Sequence, residues 1–358
     1  MKLVTSFHLT AMNSSNVKLL FVVSWRSCLT PWVKRIVFTA YMLTVLSVAA
    51  AAQPSGAARS AMMVWDNDLI AVRGAGRPPD YDYTQGTTMA LSWAGAPQRV
   101  RQFAGGLPGC ATAGARRVAC VASGLAIRQQ IYTPRRDAAT PVPGERPYAG
   151  WLSASAVAHR VAPGRIRSLE AEVGVSGPPS LAERVQDGVH RLLRNEAQLG
   201  WAHQLRTAPG LVVRYGDTRR TEWEVARSAT VAATARLGAA LGTVVTGLSA
   251  GSDVTLGLRA GDGALPWNPA EPEIERPPRL YVRAGYRQEI VLRDVFVEGR
   301  GSSGRAALRT LVGQFEGALG YRRHRVAFEY RHVVRGREYD AQPVAHAYGS
   351  FALVVHSF

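Results

Sequence analysis

Apolar and polar residues alternate with a period of two through most of the chain after residue 60. The segments 168–175, 280–287 and 326–331 are clear examples. This period places successive side chains on opposite faces of a β-strand. The chain is therefore predicted to be all-β. About twelve such segments can be traced, at 64–72, 87–94, 118–131, 151–161, 168–176, 211–221, 223–237, 243–258, 279–297, 310–321, 325–334 and 347–358.

The alternation favours a membrane barrel over a soluble sheet. No apolar run after residue 60 is long enough for a membrane helix, so strands would have to make any crossing. The strands carry Glu and Arg on one face with few apolar partners, as in a wet lumen, and the chain ends on the aromatic Phe358. We predict a transmembrane antiparallel β-barrel of about 12 strands. A soluble β-sandwich is the alternative.

The connections between strands divide into two sets. In bacterial barrels both termini lie in the periplasm, periplasmic turns are short and outer loops are longer. Counting strands from the N-terminus places the links 73–83, 134–150, 177–207 and 300–309 outside the cell. The link 259–278 would be periplasmic, although it is long and rich in proline.

The N-terminal 52 residues have the pattern of an export leader. Lys34 and Arg35 precede the apolar run 36–48, and three alanines before Gln53 provide a small-residue cleavage site. We predict a signal peptide ending near residue 52 and a barrel domain over 53–358, with a single-pass anchor as the alternative. Residues 1–32 suggest a start codon assigned too far upstream.

Charge and cysteine content narrow the possible partners. The formal net charge is +17, and removing the leader with its five basic residues lowers it to +12. The arginines are scattered through alternating strands, so anionic lipid is a better partner than nucleic acid.

Export permits a disulfide between Cys110 and Cys120, and two unpaired thiols are the alternative.

A short amphipathic helix is predicted around residues 181–193. Apolar residues recur there at helical spacing, and Gln186 and His190 lie four apart on one face, where an amide can orient an imidazole. Glu196 would point away unless the helix ends near residue 194. Taken alone, this pattern favours a solvated loop histidine over a catalytic one.

A second polar cluster combines Asp66, Asn67 and Asp68 with the segment 83–86. Carboxylate, amide and hydroxyl oxygens suit a hard cation such as Ca²⁺. Taken alone, these three acidic and amide residues favour local turn chemistry over a cation site. The strand boundaries place Asn67 and Asp68 partway along the first strand, away from the rim.

Together, four segments resemble the lipid A 3′-O-deacylase family of outer-membrane proteins, in order and spacing from about residue 60 to 215. The C-terminal half matches only as generic barrel strands. The segments are Asn67-Asp68, the DYTQG sequence at 82–86, the IYTP and RPYAGWL sequences at 131–134 and 146–152, and Gly177-Pro178 leading to Gln186, His190, Glu196, Gly200, Trp201 and Gln204.

The resemblance implies a calcium-dependent esterase that removes the 3′-linked acyloxyacyl group from lipid A. Its catalytic set corresponds to Asn67, Asp68, Thr84, Gln186, His190 and Glu196. His190 would be the general base, oriented by Gln186. Asn67, Asp68, Thr84 and Glu196 would gather Ca²⁺. Arg135 or Arg136 would hold a glucosamine phosphate, where the family's best-known form has a lysine.

Further expectations follow from this resemblance. The protein would be a monomer of the Gram-negative outer membrane, with its site facing the cell exterior and lipopolysaccharide as substrate. Two alternatives remain open. Residues 247–251 match the G-x-S-x-G pattern, so a serine-dependent outer-membrane phospholipase is one, although the motif lies inside a predicted strand. A non-catalytic pore or structural barrel is the other.

Overall fold

The structure, a computed structural model, describes residues 60–71, 81–103, 105–110, 119–193, 195–258, 280–299, 305–323 and 325–356. Within these residues, twelve antiparallel strands form one closed barrel in which each strand pairs with its chain neighbours and β1 pairs with β12. The predicted barrel is confirmed. The strands are β1 Ser60–Asn67, β2 Asp82–Trp93, β3 Cys120–Thr133, β4 Ala149–Ala162, β5 Arg165–Ser176, β6 Ala208–Ala226, β7 Ala229–Gly242, β8 Val245–Leu258, β9 Leu280–Asp294, β10 Leu311–Arg323, β11 Val326–Arg335 and β12 His346–His356.

Each strand turns one face to the lumen and the other to the surroundings, as the period of two requires. On β3, for example, Leu125 and Ile127 are exposed on the outward face, whereas Ala126 is buried. Large exposed apolar side chains recur on the outward face of almost every strand. An apolar outer surface of this kind is typical of a membrane-spanning barrel.

The two ends of the barrel differ in their connections. We call the end where β1 stops and β2 begins the site rim, and the other end the opposite rim. The site rim carries the links 68–81, 134–148, 177–207, 295–310 and 336–345, and one of them contains helix α2, Ala182–Leu193. Helix α1, Gln98–Phe103, lies in a link of the opposite rim, and the one-turn helix α3 is Val295–Glu298.

Two predicted strand boundaries are wrong in ways that affect the site, and a third is wrong away from the site. β1 covers Ser60–Asn67 instead of 64–72, and Asp68 begins a 3-10 turn, so Asn67 and Asp68 lie at the rim. β2 begins at Asp82, five residues earlier than predicted, so Thr84 belongs to a strand and not to a link. Trp223 was predicted to begin the strand after β6. It lies within β6, which runs to Ala226.

Side chains occupy much of the lumen, beside a cavity of about 290 Å³. One apolar cluster includes Met62, Val64, Ala90 and Val354, on strands near the β1–β12 seam. The expected charged face is present elsewhere, but its charges are paired with one another. The lumenal ion pairs include Arg128–Glu170, Arg214–Glu172, Arg236–Asp253 and Arg283–Glu329.

A second apolar cluster closes the lumen beneath the site rim. Phe296 of α3 folds inward, stacks on Tyr132 with ring centroids 4.8 Å apart and meets Trp151 at 6.1 Å. Val212 and Val244 complete its lining with three further apolar residues. The lumen is therefore blocked by packed side chains at this level.

Cys110 and Cys120 form a disulfide at the opposite rim, which decides between the two alternatives for these residues. It joins the segment after α1 to the start of β3. No helix among the described residues is long and apolar enough to cross a membrane. The predicted leader 1–52, the link 259–278 and Phe358 lie outside the described residues.

Candidate active site

The predicted site residues lie around a row of outward-facing side chains at the site rim. Register places Asn67, Gln85, Ile131 and Gly150 side by side on β1, β2, β3 and β4. Neighbouring strands are about 4.8 Å apart, so the row spans roughly 14 Å. Asn67, Gln85 and Ile131 are buried although they face outward. The links of the site rim therefore fold over this part of the outer wall.

Helix α2 lies against this wall. Ala182 and Val185 of the helix pack with Ile131, which is fully buried. A Cβ atom at Gly150 would lie 2.4 Å from the Ala182 Cβ atom and 2.0 Å from Ser180 Oγ. Glycine at this position therefore allows the close approach of the helix, which accounts for one residue of the motif at 146–152.

His190 lies in the last turn of α2, and its side chain is buried, with 6% of its surface exposed. Its Nδ1 atom is 2.5 Å from the backbone carbonyl oxygen of Glu196. A carbonyl can only accept, so Nδ1 carries the proton in this contact. The helix ends before residue 194, as it must if Glu196 is to approach His190. The group of Glu196 that contacts the ring is its backbone carbonyl. The Glu196 side chain is exposed.

Gln186 is buried one turn before His190 on the same helix. Its Oε1 atom accepts a hydrogen bond of 2.9 Å from Nε1 of Trp201. Trp201 is buried and packs against the ring of Tyr148 at 5.2 Å. The link after α2 thus fixes the Gln186 amide, and with it the polar face of the helix.

Asn67 and Asp68 form the corner where β1 ends. The Asn67 Oδ1 atom accepts from the backbone N–H of Leu69 at 2.8 Å and caps the 3-10 turn. Asp68 Oδ2 accepts from the Tyr81 N–H at 3.2 Å across the link. Both side chains are buried. The turn chemistry that the residues alone favoured is present, and it holds both oxygen-bearing side chains at the rim.

Thr84 is the extra residue of a β-bulge. The pairing of β2 with β3 shifts between Tyr83 and Gln85, which leaves Thr84 without an opposite residue in the ladder. Its Oγ1 atom lies 2.8 Å from Oγ1 of Thr133. A bulge redirects a side chain out of the regular alternation and is common beside functional sites. The sequence alternation could not show it.

Asp82 anchors the bulge from the strand start. It is fully buried, has a positive φ of 66° and accepts from Tyr339 Oη at 2.9 Å and from Gln342 Nε2 at 3.0 Å. The last two residues belong to the link 336–345, more than 250 positions away in the chain. No sequence pattern indicated that Tyr339 and Gln342 take part in the site, because this half of the chain resembled the family only as generic strands.

Arg146 and Glu338 extend this buried network. Arg146 Nη1 lies 3.0 Å from Glu338 Oε2 and 3.9 Å from Asp82 Oδ1. Burial raises the pKa of Glu338, but Arg146 and Arg335 outweigh it and lower the pKa to about 2. Burial lowers the pKa of Arg146, but Glu338 and Asp82 outweigh it and raise this pKa above its usual value. Glu338 and Arg146 are therefore a charged pair beneath the rim.

The two basic candidates have different surroundings. Arg135 lies over the Tyr81 ring at 3.8 Å, donates to its Oη at 2.7 Å and is 3.5 Å from Asp82 Oδ2. Arg136 is largely exposed, and its Nε is 2.7 Å from Glu145. Glu145 also accepts a hydrogen bond from the Arg136 backbone N–H. Glu145 therefore joins the two ends of the link 134–148.

The donor set for a cation is mixed. Within the described ranges, no three His, Cys, Asp or Glu side chains are grouped so that they could hold a metal ion. A calcium site would have to combine carboxylate oxygens with amide, hydroxyl or backbone oxygens, all of which Ca²⁺ accepts. The Asn67 amide, the Asp68 carboxylate and the Thr84 hydroxyl provide three such groups at the site rim, and they fit this chemistry.

Gly247 to Gly251 lies in the middle of β8, as predicted. Ser249 pairs with Gly238 and Glu289 across the ladder. A nucleophilic serine of this motif requires a sharp turn and a helix directly after the strand, and neither occurs in this described stretch, which remains a strand to Leu258.

Comparison with known structures supports the fold. LpxR from Salmonella typhimurium superimposes with a TM-score of 0.66 at 17% identity, covering 83% of this chain and 99% of that chain. The β domain of the Bordetella autotransporter BrkA gives a TM-score of 0.42 at 8% identity over 84% of this chain and 100% of that one. The second likeness is too weak to carry an argument.

Comparison of sequences decides the family. No curated protein matches the chain closely enough to count as a relative. The family described as outer membrane protein LpxR matches residues 37–357, which includes all twelve strands. The chain therefore belongs to the LpxR family of outer membrane proteins.

Proposed function

We propose that this protein is a calcium-dependent esterase that removes the 3′-linked acyloxyacyl group from lipid A. The observation that carries the proposal is the position of His190. It is a buried residue of α2, the helix that lies against the outer wall of the barrel. Below the site, Ile127 and Leu125 continue β3 as exposed apolar residues. A lipid ester could therefore reach the imidazole from the bilayer without entering the lumen.

His190 would act as the general base. With the proton of its ring on Nδ1, directed at the Glu196 carbonyl, Nε2 can accept a proton from water. The resulting hydroxide adds to the ester carbonyl carbon, the bond to the sugar oxygen breaks, and the imidazolium returns its proton to that oxygen. No covalent enzyme intermediate is needed.

Gln186 would act as a positioning residue for this step. Its carbonyl oxygen is held by Trp201, which directs its amide nitrogen away from the indole. On a helix, residues four apart lie on one face, so Gln186 and His190 present their polar atoms to the same side.

Calcium would be held by oxygens from Asn67, Asp68 and Thr84, with the Glu196 carboxylate as a fourth candidate. When bound, it would supply positive charge that stabilises the oxyanion of the ester. The exposed Glu196 side chain would have to turn inward to take part. The first three groups are already buried at the rim.

Arg135 or Arg136 would bind a glucosamine phosphate of lipid A. Arg135 is fixed in place by the Tyr81 ring, whereas Arg136 is exposed. Guanidinium groups form paired hydrogen bonds with phosphate oxygens. Lipopolysaccharide makes up the outer leaflet, so this function requires the site rim to face the cell exterior. We expect a monomer.

Mass spectrometry of lipid A from cells that express the protein tests the proposal. We expect loss of the 3′ acyl groups, and no loss when calcium is chelated or when His190→Ala is expressed. His203→Ala is a matched control, because His203 is exposed on a neighbouring turn. Activity that survives His190→Ala would overturn the mechanism.

The same spectra separate the alternatives. Loss of activity in Ser249→Ala, with activity retained in His190→Ala, would favour a serine-dependent phospholipase. Unchanged lipid A together with ion conductance in planar bilayers would favour a pore. The packed cluster around Phe296 leads us to expect no steady conductance.

A further inference from the structure

Four arginines surround one aspartate on the outward face near the opposite rim. Arg160 pairs across the sheet with Arg167, Arg167 pairs with Asp217, and Arg165 pairs with Arg219. The residues lie on β4, β5 and β6, next to the turn 163–164. We call this group the arginine cluster.

Asp217 does not balance the charge of the arginine cluster. Arg165 forms a close two-pronged ion pair with it, whereas Arg167 Nε and Arg219 Nε lie at 3.7 and 3.8 Å. Four positive charges and one negative charge leave a net charge of +3. Arg167 Nε is buried and has no hydrogen-bond partner among the described residues.

The arrangement is unfavourable without an anion. Like charges directly opposite each other in a sheet destabilise the pairing, and the cluster contains two arginine pairs of this kind. No lysine follows position 34, so every permanently charged basic residue in the barrel is an arginine. The guanidinium group is the side chain that binds phosphate most specifically, through parallel hydrogen bonds.

An apolar stripe continues from the arginine cluster toward the middle of the barrel. Leu169 and Val173 on β5 and Val213 and Tyr215 on β6 are exposed on the same outward face. Leu169 and Val173 are separated by about 13 Å along the strand, close to half of the ~30 Å hydrocarbon core. The cluster therefore lies at the level of lipid head groups, directly below an acyl-chain surface.

We propose that the arginine cluster binds the head group of an anionic glycerophospholipid in the leaflet next to the opposite rim. The phosphodiester contacts the arginines, and the acyl chains lie along the stripe above Leu169. A soluble anion would use the arginines alone, whereas a lipid uses both surfaces. This binding site lies near the opposite rim, away from His190 at the site rim, and does not depend on the proposed esterase activity.

Native mass spectrometry of the purified full-length barrel measures this binding directly. The probes are phosphatidylglycerol, phosphatidylcholine and glycerol phosphate. The test variant is Arg160→Gln, Arg167→Gln and Arg219→Gln together, which keeps the close Arg165–Asp217 pair. The control variant is Arg101→Gln, Arg323→Gln and Arg325→Gln, an equal charge change at exposed positions of the same rim.

We expect the wild type and the control variant to retain phosphatidylglycerol in preference to phosphatidylcholine. The test variant should bind phosphatidylglycerol at least tenfold more weakly, and glycerol phosphate should not compete. Equal binding by wild type and test variant would overturn the proposal. So would equal retention of the two lipids, competition by glycerol phosphate, or a dimer that only the test variant loses. If the test variant does not fold, Arg219→Gln alone takes its place, because that side chain is 66% exposed.

Discussion

The Nδ1 atom of His190 lies 2.5 Å from the backbone carbonyl oxygen of Glu196. The contact spans six residues and holds the imidazole from the segment that follows α2. It also separates two contributions of residue 196, because the carbonyl orients the ring whereas the carboxylate is exposed. A substitution that keeps the backbone can therefore test the carboxylate alone.

Glu196→Gln should raise the calcium concentration needed for half-maximal deacylation by about tenfold. The substitution removes one charged oxygen from the proposed ligand set and leaves the His190 contact in place. Deacylation of purified lipid A across a calcium titration measures the effect. Glu183→Gln, an exposed change at the other end of α2, serves as the control. An unchanged calcium requirement would limit residue 196 to its backbone role.

Trp201→Phe should lower the deacylation rate about tenfold. The substitution keeps an aromatic ring against Tyr148 but removes the indole N–H that donates to Gln186 Oε1. A buried acceptor then loses its partner, at a cost of roughly 1–3 kcal/mol. Rates at saturating calcium measure the change. Trp223→Phe, at an exposed position on β6, should leave the rate unaltered.

A different result for Trp201→Phe would identify another role. If the rate stays at the wild-type value, the amide of Gln186 is held by other contacts and is not positioned by Trp201. If both tryptophan variants lose activity equally, the loss reflects general damage to the barrel.

Gly150→Ala should abolish activity without unfolding the barrel. The added methyl group would overlap Ser180 and Ala182, so α2 would have to move away from the wall and carry His190 with it. Lipid A spectra measure the activity, and the heat-modifiable migration of the barrel in electrophoresis reports its folding. Gly317→Ala on β10 is the matched control, because its methyl group would meet no atom within 4 Å.

Full activity in Gly150→Ala would show that the close packing of α2 against the outer wall is not needed for catalysis. That outcome would also remove the main support for substrate entry from the bilayer. Loss of both activity and folding would mean that the residue is required for the barrel itself.

Local periodicity predicted the parts of the fold that depend on neighbouring residues. The alternation predicted twelve strands, and helical spacing predicted α2, because each pattern repeats over several turns or residue pairs. The predicted end of β1 was wrong because apolar residues resume at Leu69 and Ile70, although Asn67 caps a 3-10 turn there. A single capping side chain is a weaker signal than a return to apolar residues.

Contacts between distant segments could not be read from the chain. Asp82 depends on Tyr339 and Gln342, and these meet only because β12 closes the barrel beside β1. The bulge at Thr84 depends on the register between β2 and β3. Both features require the pairing of the whole sheet, which no local pattern contains.

Glu338→Gln should destabilise the site rim at neutral pH and remove part of its sensitivity to acid. The pKa of Glu338 is lowered from 4.5 to about 2, so its contribution to stability is complete above pH 4.5 and is lost as the pH falls toward 2. The variant leaves Arg146 buried beside one fewer negative charge, which costs about 3–5 kcal/mol for a broken buried pair.

Thermal unfolding followed by circular dichroism between pH 2 and pH 7 measures both effects of Glu338→Gln. The wild type should lose stability steeply below pH 4.5, whereas the variant should start lower at pH 7 and change less with pH. Glu224→Gln removes an exposed carboxylate on β6 and should follow the wild-type curve. Parallel curves for wild type and Glu338→Gln would mean that the acid sensitivity arises elsewhere, because a neutral amide at this position has no proton to gain.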